Sequence, residues 1–204
     1  MVNKERLGAF IDAVVAVVMT IMLLEFEIPK SGSIMEFLHA NLVYLIAYGL
    51  SFIYVTTSWF NQQYMMQHAK QITRKIYISC MLWLASLSLL PVLAAWTGRT
   101  INLFEDLGLH SSKAPALLFL VMIFLWGIAY MHMTKAFIAD NPDDTAVVIT
   151  EMEVTKFLGT KLWMGIFAVA IVLTWFYPPL VFVYTAAEMG LAVYRSQNRK
   201  KEAT

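Results

Sequence analysis

Six long apolar stretches constrain this chain more than any other feature of its sequence. A membrane-crossing helix needs about 20 mainly apolar residues, whereas a transmembrane β-strand needs only about 10 residues that alternate. The stretches are long enough for helices, and they lie near residues 7–28, 39–64, 76–97, 115–137, 157–177 and 179–195. Six such helices use roughly 120 residues, which leaves only short connections. We therefore predict an all-α membrane protein with a single six-helix transmembrane domain, residues 1–204.

The composition supports a membrane protein and excludes several other classes. Hydrophobic residues make up 59% of the chain and charged residues 14%, whereas soluble domains have about 45–50% and about 25%. This excludes a typical soluble enzyme, a disordered chain and a nucleic-acid-binding protein. The net charge of +1 produces no strong long-range field. The single cysteine, Cys80, excludes a disulfide framework and a multi-cysteine metal cluster.

Two of the predicted spans have an alternative interpretation: the first stretch as a signal peptide, and the last two stretches as one long helix. The first stretch occupies the position of a signal peptide, but Asp12 interrupts it and no cleavage site of small residues is found, so we predict a retained helix. The last two stretches are separated by Tyr177-Pro178-Pro179. Proline lacks a backbone donor and disfavours helix in the residue before it. This segment therefore predicts a hairpin of two helices rather than one long helix.

Basic residues are distributed unequally between the two sides that these spans define. Cytoplasmic loops of membrane proteins carry an excess of lysine and arginine. With the N-terminus inside, Lys30, Arg99 and Lys113 lie outside, and the other twelve of the 15 basic residues lie inside. Those twelve are Lys4, Arg6, Lys70, Arg74, Lys75, Lys135, Lys156, Lys161, Arg195, Arg199, Lys200 and Lys201. We therefore predict a multi-pass protein of the cell membrane with cytoplasmic N- and C-termini.

The first stretch differs from the others in carrying a stripe that is small or aliphatic in its middle and acidic at its outer end. At helical spacing the stripe comprises Ala13, Ala16, Val17, Thr20, Ile21, Leu24 and Glu27. One interpretation is a helix packed in a bundle, with Thr20 bonded to its own backbone. The other is a pore-lining helix, in which apolar rings form a constriction and Thr20 supplies a ring of oxygens. In that case Glu25 and Glu27 attract cations at the outer mouth; otherwise they are ordinary interfacial carboxylates.

Asp12 requires an explanation under either interpretation. It follows Arg6 by six residues, which is roughly 9 Å along a helix axis at 1.5 Å per residue. That distance places the carboxylate inside the inner edge of the hydrocarbon, where a charge costs at least a few kcal/mol unless it is paired or hydrated. We therefore predict a polar network around Asp12 that fixes the first helix.

These residues form a pattern that resembles the first-helix signature of the transmembrane protein 175 family of potassium channels. That signature reads Arg-x-x-x-Phe-Ser-Asp, followed by a hydrophobic helix with a threonine and a closing proline. The matching residues are Arg6, Phe10, Asp12, Ala13, Val14, Ala16, Thr20, Leu23, Leu24, Glu25 and Pro29. Further matches are Trp59-x-Asn61 in the second stretch and Ser88-Leu89-Leu90-Pro91 in the third. The length fits one six-span repeat, as in short prokaryotic members.

The resemblance implies a homotetramer with the first helices around a central pore. It implies a potassium-favouring cation channel without a carbonyl filter loop, with no cofactor, and with K⁺ as the permeating ion rather than a bound metal. Its partners are then further copies of the chain, the lipid bilayer and monovalent cations. The implied constriction consists of Val17, Ile21 and Leu24, with a hydroxyl layer at Thr20. The implied structural network consists of Arg6, Phe10, Asp12, Trp59 and Asn61.

The chain departs from the family pattern at a few positions. Ile11 replaces the signature serine, so one hydroxyl is lost. Gln62 and Gln63 occupy a place where many members have histidines, and glutamine forms hydrogen bonds but does not titrate. Val17 is smaller than the usual isoleucine or leucine of the constriction, and Ala16, one turn before Thr20, carries no oxygen. These changes bear on selectivity and on contacts between helices, and they leave the apolar ring in place.

Other chemistry finds little support in the sequence. The four histidines form no HExxH motif, and no G-x-S-x-G occurs, so we predict that the chain is not an enzyme. Glu188, within the last stretch, is expected to pair with a neighbouring helix or to extend toward the interface, and no catalysis is assigned to it. The alternative function is a secondary transporter or an accessory membrane subunit without conduction of its own. Inverted repeats and helices broken at the midplane, which are typical of transporters, are not evident.

Overall fold

The apolar stretches form helices, and no strand is present in the part of the chain that the structure describes. The computed structural model describes residues 3–202, apart from the side chains of residues 105, 143 and 192–202. The helices are α1 (Lys4–Ile21), α2 (Ile34–His68), α3 (Arg74–Thr100), α4 (Leu103–Asp106), α5 (Lys113–Asp140), α6 (Asp143–Thr150), α7 (Glu153–Leu158), α8 (Lys161–Phe176) and α9 (Leu180–Glu202). A 3-10 turn, Met22–Glu25, continues α1. The side chains of Arg195, Arg199, Lys200 and Lys201, which contribute to the predicted orientation, lie outside the described residues, as do the first two and last two residues.

Among the described residues, four helices are long and apolar enough to cross a membrane, namely Lys4–Glu25, Ile34–His68, Arg74–Thr100 and Lys113–Asp140. They support the predicted all-α membrane protein. The remaining two apolar helices, α8 and the Leu180–Leu191 part of α9, are shorter. The 16 residues of α8 extend about 24 Å, against a hydrocarbon core of about 30 Å. Six complete spans therefore stay a prediction.

Local sequence signals explain where several helices begin. Four helices are preceded by a polar residue whose side chain accepts a hydrogen bond from the backbone N–H three residues later, at 3.1–3.4 Å. These residues are Asn3, Ser33, Thr73 and Thr160. Such caps satisfy a donor that the first turn would otherwise leave free. α8 ends at Phe176 and α9 begins at Leu180, so the proline pair lies in the turn between them.

The packing of α3 against α5 forms the centre of the bundle. Trp83 and Leu87 of α3 and Leu120 and Ile123 of α5 are completely or almost completely buried there. α2 packs against α3, and α1 lies against α2 and α3. α8 packs against α5 and α9. As a result α1 contacts its own chain along one side only, which positions the candidate site.

Polar contacts at the predicted inner end tie the helix ends together. Asn141 is buried, and its side-chain oxygen accepts hydrogen bonds from the backbone N–H groups of Lys70 and Gln71, each at 2.9 Å. The Lys4 ammonium donates to the carbonyls of Gln67 and Ala69 at 3.1 and 2.9 Å. These carbonyls lie at the C-terminus of α2, where a cation is favourable. The start of α1 is thereby fixed to the end of α2.

Candidate pore-facing site on the first helix

The first helix has one face that packs against its own chain. Leu7, Ile11, Val15, Val18 and Met22 are buried, at spacings of three and four residues that keep them on one side of the helix. Ile11, which stands where the family signature has serine, is completely buried on this face. The change from a hydroxyl to an aliphatic side chain therefore adds to the apolar core of the protomer.

The predicted stripe lies on the opposite face and is not covered by the protomer. Val17 is 62% exposed, Ile21 46% and Leu24 84%. Ala13, Ala16, Thr20 and Glu27 are exposed as well. The stripe is therefore not packed inside the bundle of its own protomer. Such packing is what the interpretation of α1 as a bundled helix predicts for a single copy of the chain. What it faces is another copy, lipid or a water-filled axis.

Thr20 combines features of both interpretations. Its hydroxyl donates to the carbonyls of Ala16 at 3.0 Å and Val17 at 3.1 Å, which is the local bonding expected of a threonine inside a helix. A hydroxyl that donates its proton still has lone pairs available as acceptors. Because the side chain is exposed on the stripe, the Thr20 oxygen is available to a cation or to water.

Asp12 is held by α2. Its Oδ1 atom accepts a hydrogen bond from the indole Nε1 of Trp59 at 2.8 Å and another from the side-chain amide of Gln63. Trp59 and Gln63 are four residues apart, so both side chains emerge from the same face of α2. Hydrogen bonds to an ionised group are stronger than bonds between neutral groups. The Asp12 carboxylate therefore fixes the rotation of α1 against α2.

The other members of the predicted network do not meet Asp12 within one protomer. Arg6 and Phe10 line a shallow depression beside Tyr77 of α3. Six residues correspond to about 600° of helical rotation, which places Arg6 about 120° away from Asp12 around α1. Asn61 lies two residues after Trp59 and lines a cavity on another side of α2. The structure thus brings Asp12 and Trp59 together and adds Gln63 as a second donor to Asp12. The sequence feature that could have identified Gln63 is its position four residues after Trp59, on the same face of α2.

The outer end of α1 is tied to α2 and α3. The Asn41 side chain accepts from the Glu27 N–H at 3.0 Å and donates to the Glu27 carbonyl at 2.8 Å. The hydroxyl of Tyr44 donates to the Met22 carbonyl at 2.8 Å. The Arg99 guanidinium forms an ion pair with Glu27 at 2.6 Å and lies 4.5 Å from the centre of the Tyr44 ring.

The two predicted outer-mouth carboxylates are therefore in different states. Glu27 is paired with Arg99, which offsets its charge. The sequence predicted that Arg99 lies on the outer side, but it did not predict this pairing. Glu25 is exposed and forms no ion pair with any described residue. The negative charge at this end of α1 is therefore concentrated at Glu25.

Two comparisons with known proteins bear on this helix. The family model described as endosomal/lysosomal potassium channel TMEM175 matches residues 6–91. The resemblance to the transmembrane protein 175 family is confirmed. The matched region runs from Arg6 in α1 to Pro91 in α3, and so includes both the exposed stripe and the Asp12 contacts. A potassium channel of Chryseobacterium sp. (strain P1-3) is 29% identical over 193 residues, which is 93% of each chain. The family model and this relative are both described as potassium channels, which supports the prediction that the chain is not an enzyme.

Proposed function

We propose that the chain forms a potassium-favouring cation channel in the cell membrane, as a homotetramer whose four α1 helices line the pore. The observation that carries this proposal is the uncovered stripe of α1, which is apolar at Val17, Ile21 and Leu24 and has a hydroxyl at Thr20. The relatedness to potassium channels supports conduction of K⁺, with no cofactor. The twelve inner basic residues support cytoplasmic termini.

A conduit needs more than one copy of the chain. The stripe has no facing wall within the protomer, since α1 contacts its own chain only through the opposite side. Closed rotational symmetry brings the same face of each copy to a common axis. Four copies are the number that the family resemblance implies. Further copies would then cover the flanks of α1, and the stripe itself would face water.

The apolar positions of the stripe supply the constriction. Val17 and Ile21 are four residues apart in α1, so their rings would be stacked about 6 Å apart along the axis. Leu24 lies three residues further on in the 3-10 turn, whose rise of about 2 Å per residue places its ring about another 6 Å along. A narrow apolar ring closes a pore by excluding water, and a slightly wider one passes partly dehydrated ions. Potassium loses water more readily than sodium, so such a sieve favours potassium modestly, without a loop of backbone carbonyls.

Polar groups above the narrowest ring support the passing ion. The Thr20 oxygens, one turn beyond Ala16, replace part of the lost hydration through their free lone pairs. At the outer end four Glu25 carboxylates raise the local cation concentration. The Glu27–Arg99 pairs have no net charge and hold the wall of the entrance in place.

Ion flux through purified protein in liposomes tests the assignment of the constriction. Val17→Asn replaces the apolar ring with a polar one and is expected to lower the ratio of potassium to sodium permeability. Val172→Asn is the matched control, because Val172 is similarly exposed (55%) but lies on α8, away from the stripe. An unchanged ion ratio in Val17→Asn would remove Val17 from the sieve. Absence of flux from the unmodified protein would favour an accessory subunit.

A further inference from the structure

The loop that joins α3 to α5 exposes large apolar side chains on a firmly held backbone. It comprises residues 101–112 and includes the short helix α4. Leu107 is 71% exposed and Leu109 is 61% exposed. Exposed apolar side chains that lie together indicate a surface that contacts another molecule. The channel proposed above gives this loop no role.

The backbone at Leu107 does not account for a leucine there. Its φ of 57° lies in the left-handed region, and Gly108 follows with a φ of 82°. Glycine and asparagine adopt this conformation more readily than leucine does. Gly108 also approaches the proline pair so closely that a Cβ on it would lie 2.5 Å from the Pro179 ring. The turn therefore requires glycine at 108, and the side chain of Leu107 needs an explanation outside the turn.

The polar groups of the loop backbone are bonded within the protein. The four consecutive N–H groups of residues 108–111 all donate inside the loop. Their acceptors are the carbonyls of Asn102, Asp106 and Gly108 and the carboxylate of Asp106, at 2.9–3.3 Å. The Leu107 carbonyl accepts from the hydroxyl of Tyr177. Water can satisfy the backbone of an exposed loop, whereas in a bilayer the protein itself must do so. These bonds therefore allow the loop to enter a medium poor in water.

Lys113 and Trp175 place the loop at the edge of the hydrocarbon. The Lys113 ammonium lies 5.0 Å from the centre of the Trp175 ring, so the start of α5 and the end of α8 are at one level. A long apolar run begins directly after Lys113, and lysine and tryptophan concentrate at the membrane–water boundary. Tyr177, two residues beyond Trp175, bonds to Leu107. The loop is thus tied to an element at that boundary.

The exposed leucines continue an apolar surface at the end of α8. Phe176 is 74% exposed and Trp175 is exposed as well. α8 packs against α5 and α9, whereas α1 packs against α2 and α3. In the proposed channel, which has α1 at its axis, this surface faces outward. The occupant that fits an outward apolar surface at this level is phospholipid.

We propose that Leu107 and Leu109 anchor this loop in the membrane, with their side chains among the upper acyl chains of the phospholipid. The Lys113 ammonium then lies at the level of the lipid phosphates. The Tyr177 bond and the contact of Gly108 with Pro179 transmit the anchor to the turn between α8 and α9. The anchor rests on the proposed arrangement around α1 for its outward direction, but it does not require ion conduction.

The depth of a spin label at Leu109 tests the anchor without measuring ion flux. Leu109→Cys is made in a Cys80→Ala chain, since Cys80 is the single native cysteine, and the labelled full chain is placed in phosphatidylcholine nanodiscs. Collisions with oxygen, which enters the bilayer, are compared with collisions with a water-soluble nickel complex. Val172→Cys, exposed on α8, is the lipid reference, and Asp144→Cys, exposed on α6, is the water reference.

We expect the label at 109 to match the lipid reference, with oxygen collisions predominating. Predominance of the nickel complex, as at the water reference, would overturn the proposal. A label shielded from both reagents would indicate that protein, such as another copy of the chain, covers the loop, and would overturn it as well. Each of these results can occur with or without potassium conduction, so failure of the anchor is distinguishable from failure of the channel.

Hydrogen exchange of Leu107 variants tests the same contact without a label. Asparagine suits the left-handed backbone but places an amide among acyl chains. Leu107→Asn is therefore expected to raise the exchange rates of the N–H groups of residues 108–110 in nanodiscs at least about threefold. Leu107→Met, which keeps an apolar side chain, is expected to leave these rates unchanged. Unchanged or slower exchange in Leu107→Asn is the result for a loop in water, and it would overturn the proposal.

Discussion

The contact between Asp12 and Trp59 allows the positioning of α1 to be measured as a coupling energy. We expect Asp12→Ala and Trp59→Phe to be non-additive in the free energy of unfolding. Trp59→Phe keeps an aromatic ring and removes the Nε1–H that donates to Asp12 at 2.8 Å. A hydrogen bond to an ionised group is worth about 1.5–3 kcal/mol. Asp12 is exposed within the protomer, so the lower part of that range applies, and we expect a coupling of about 1.5–2 kcal/mol.

A double-mutant cycle separates the coupling energy between Asp12 and Trp59 from the loss of packing that Trp59→Phe also causes. The free energy of unfolding of the four proteins is measured in mixed micelles by titration with a denaturing detergent, with helix content as the signal. Asp12→Ala combined with Trp96→Phe is the matched control, because Trp96 lies near the outer end of α3 and forms no bond with Asp12. That pair is expected to be additive within about 0.5 kcal/mol. An Asp12–Trp59 coupling no larger than the control would refute the reasoning.

The same substitution has a consequence for assembly. If Asp12 fixes the rotation of α1, Asp12→Ala turns the stripe away from its position, and we expect loss of the proposed tetramer or of the proposed potassium current. Cross-linking in lipid and single-channel recording measure these two outcomes. Wild-type assembly together with wild-type conductance would remove Asp12 from the positioning of α1.

The remaining predictions concern the outer end, an outer loop and one close helix contact. Glu25→Gln is expected to lower potassium conductance at low salt more than Glu27→Gln does, because Glu27 is already paired; equal effects would contradict this assignment. A histidine partner and backbone N–H groups lower the pKa of Asp106, so the stability of its loop is present above the unfolded pKa and is lost as pH falls through the folded pKa. A carboxyl titration by NMR with an ordinary pKa would contradict that. Gly127→Ala is expected to destabilise the fold by about 1–3 kcal/mol, since a Cβ there would lie 2.7 Å from an indole of α8. Gly165→Ala, whose Cβ meets nothing within 4 Å, should not destabilise in the same thermal unfolding assay.

Helical periodicity accounts for the part of the site that could be predicted. The spacing of Val17 and Ile21 places them on one face of an α-helix, so their common exposure follows once α1 is helical. Leu24 lies in the 3-10 turn, where a spacing of three residues returns to the same face. The same rule, applied to α2, separates Trp59 and Gln63 from Asn61. Applying it there would have replaced Asn61 with Gln63 as the partner of Asp12.

Contacts between distant segments account for most of what could not be predicted. The Arg99–Glu27 pair joins residues 72 positions apart, and it depends on how the end of α3 approaches the segment after α1. Trp163 meets Glu188 across the turn between α8 and α9, 25 residues apart. Patterns along one helix say which face a residue occupies, but they do not say which neighbour lies opposite. Tertiary packing decides that.

The way α1 is held restricts how a constriction on it can open. Lys4 fixes its inner end to α2, Asp12 fixes its inner half, and Asn41 fixes the segment at its outer end. Val17 and Ile21 are β-branched, and such side chains have one strongly preferred rotamer in a helix. A change in the width of these rings by rotamer exchange is therefore unfavourable. Movement of α1 by itself would break its bonds to α2. A displacement of α1 and α2 together would keep these three tethers intact, but it would have to shift the packing of both helices on α3 and the Arg99–Glu27 ion pair.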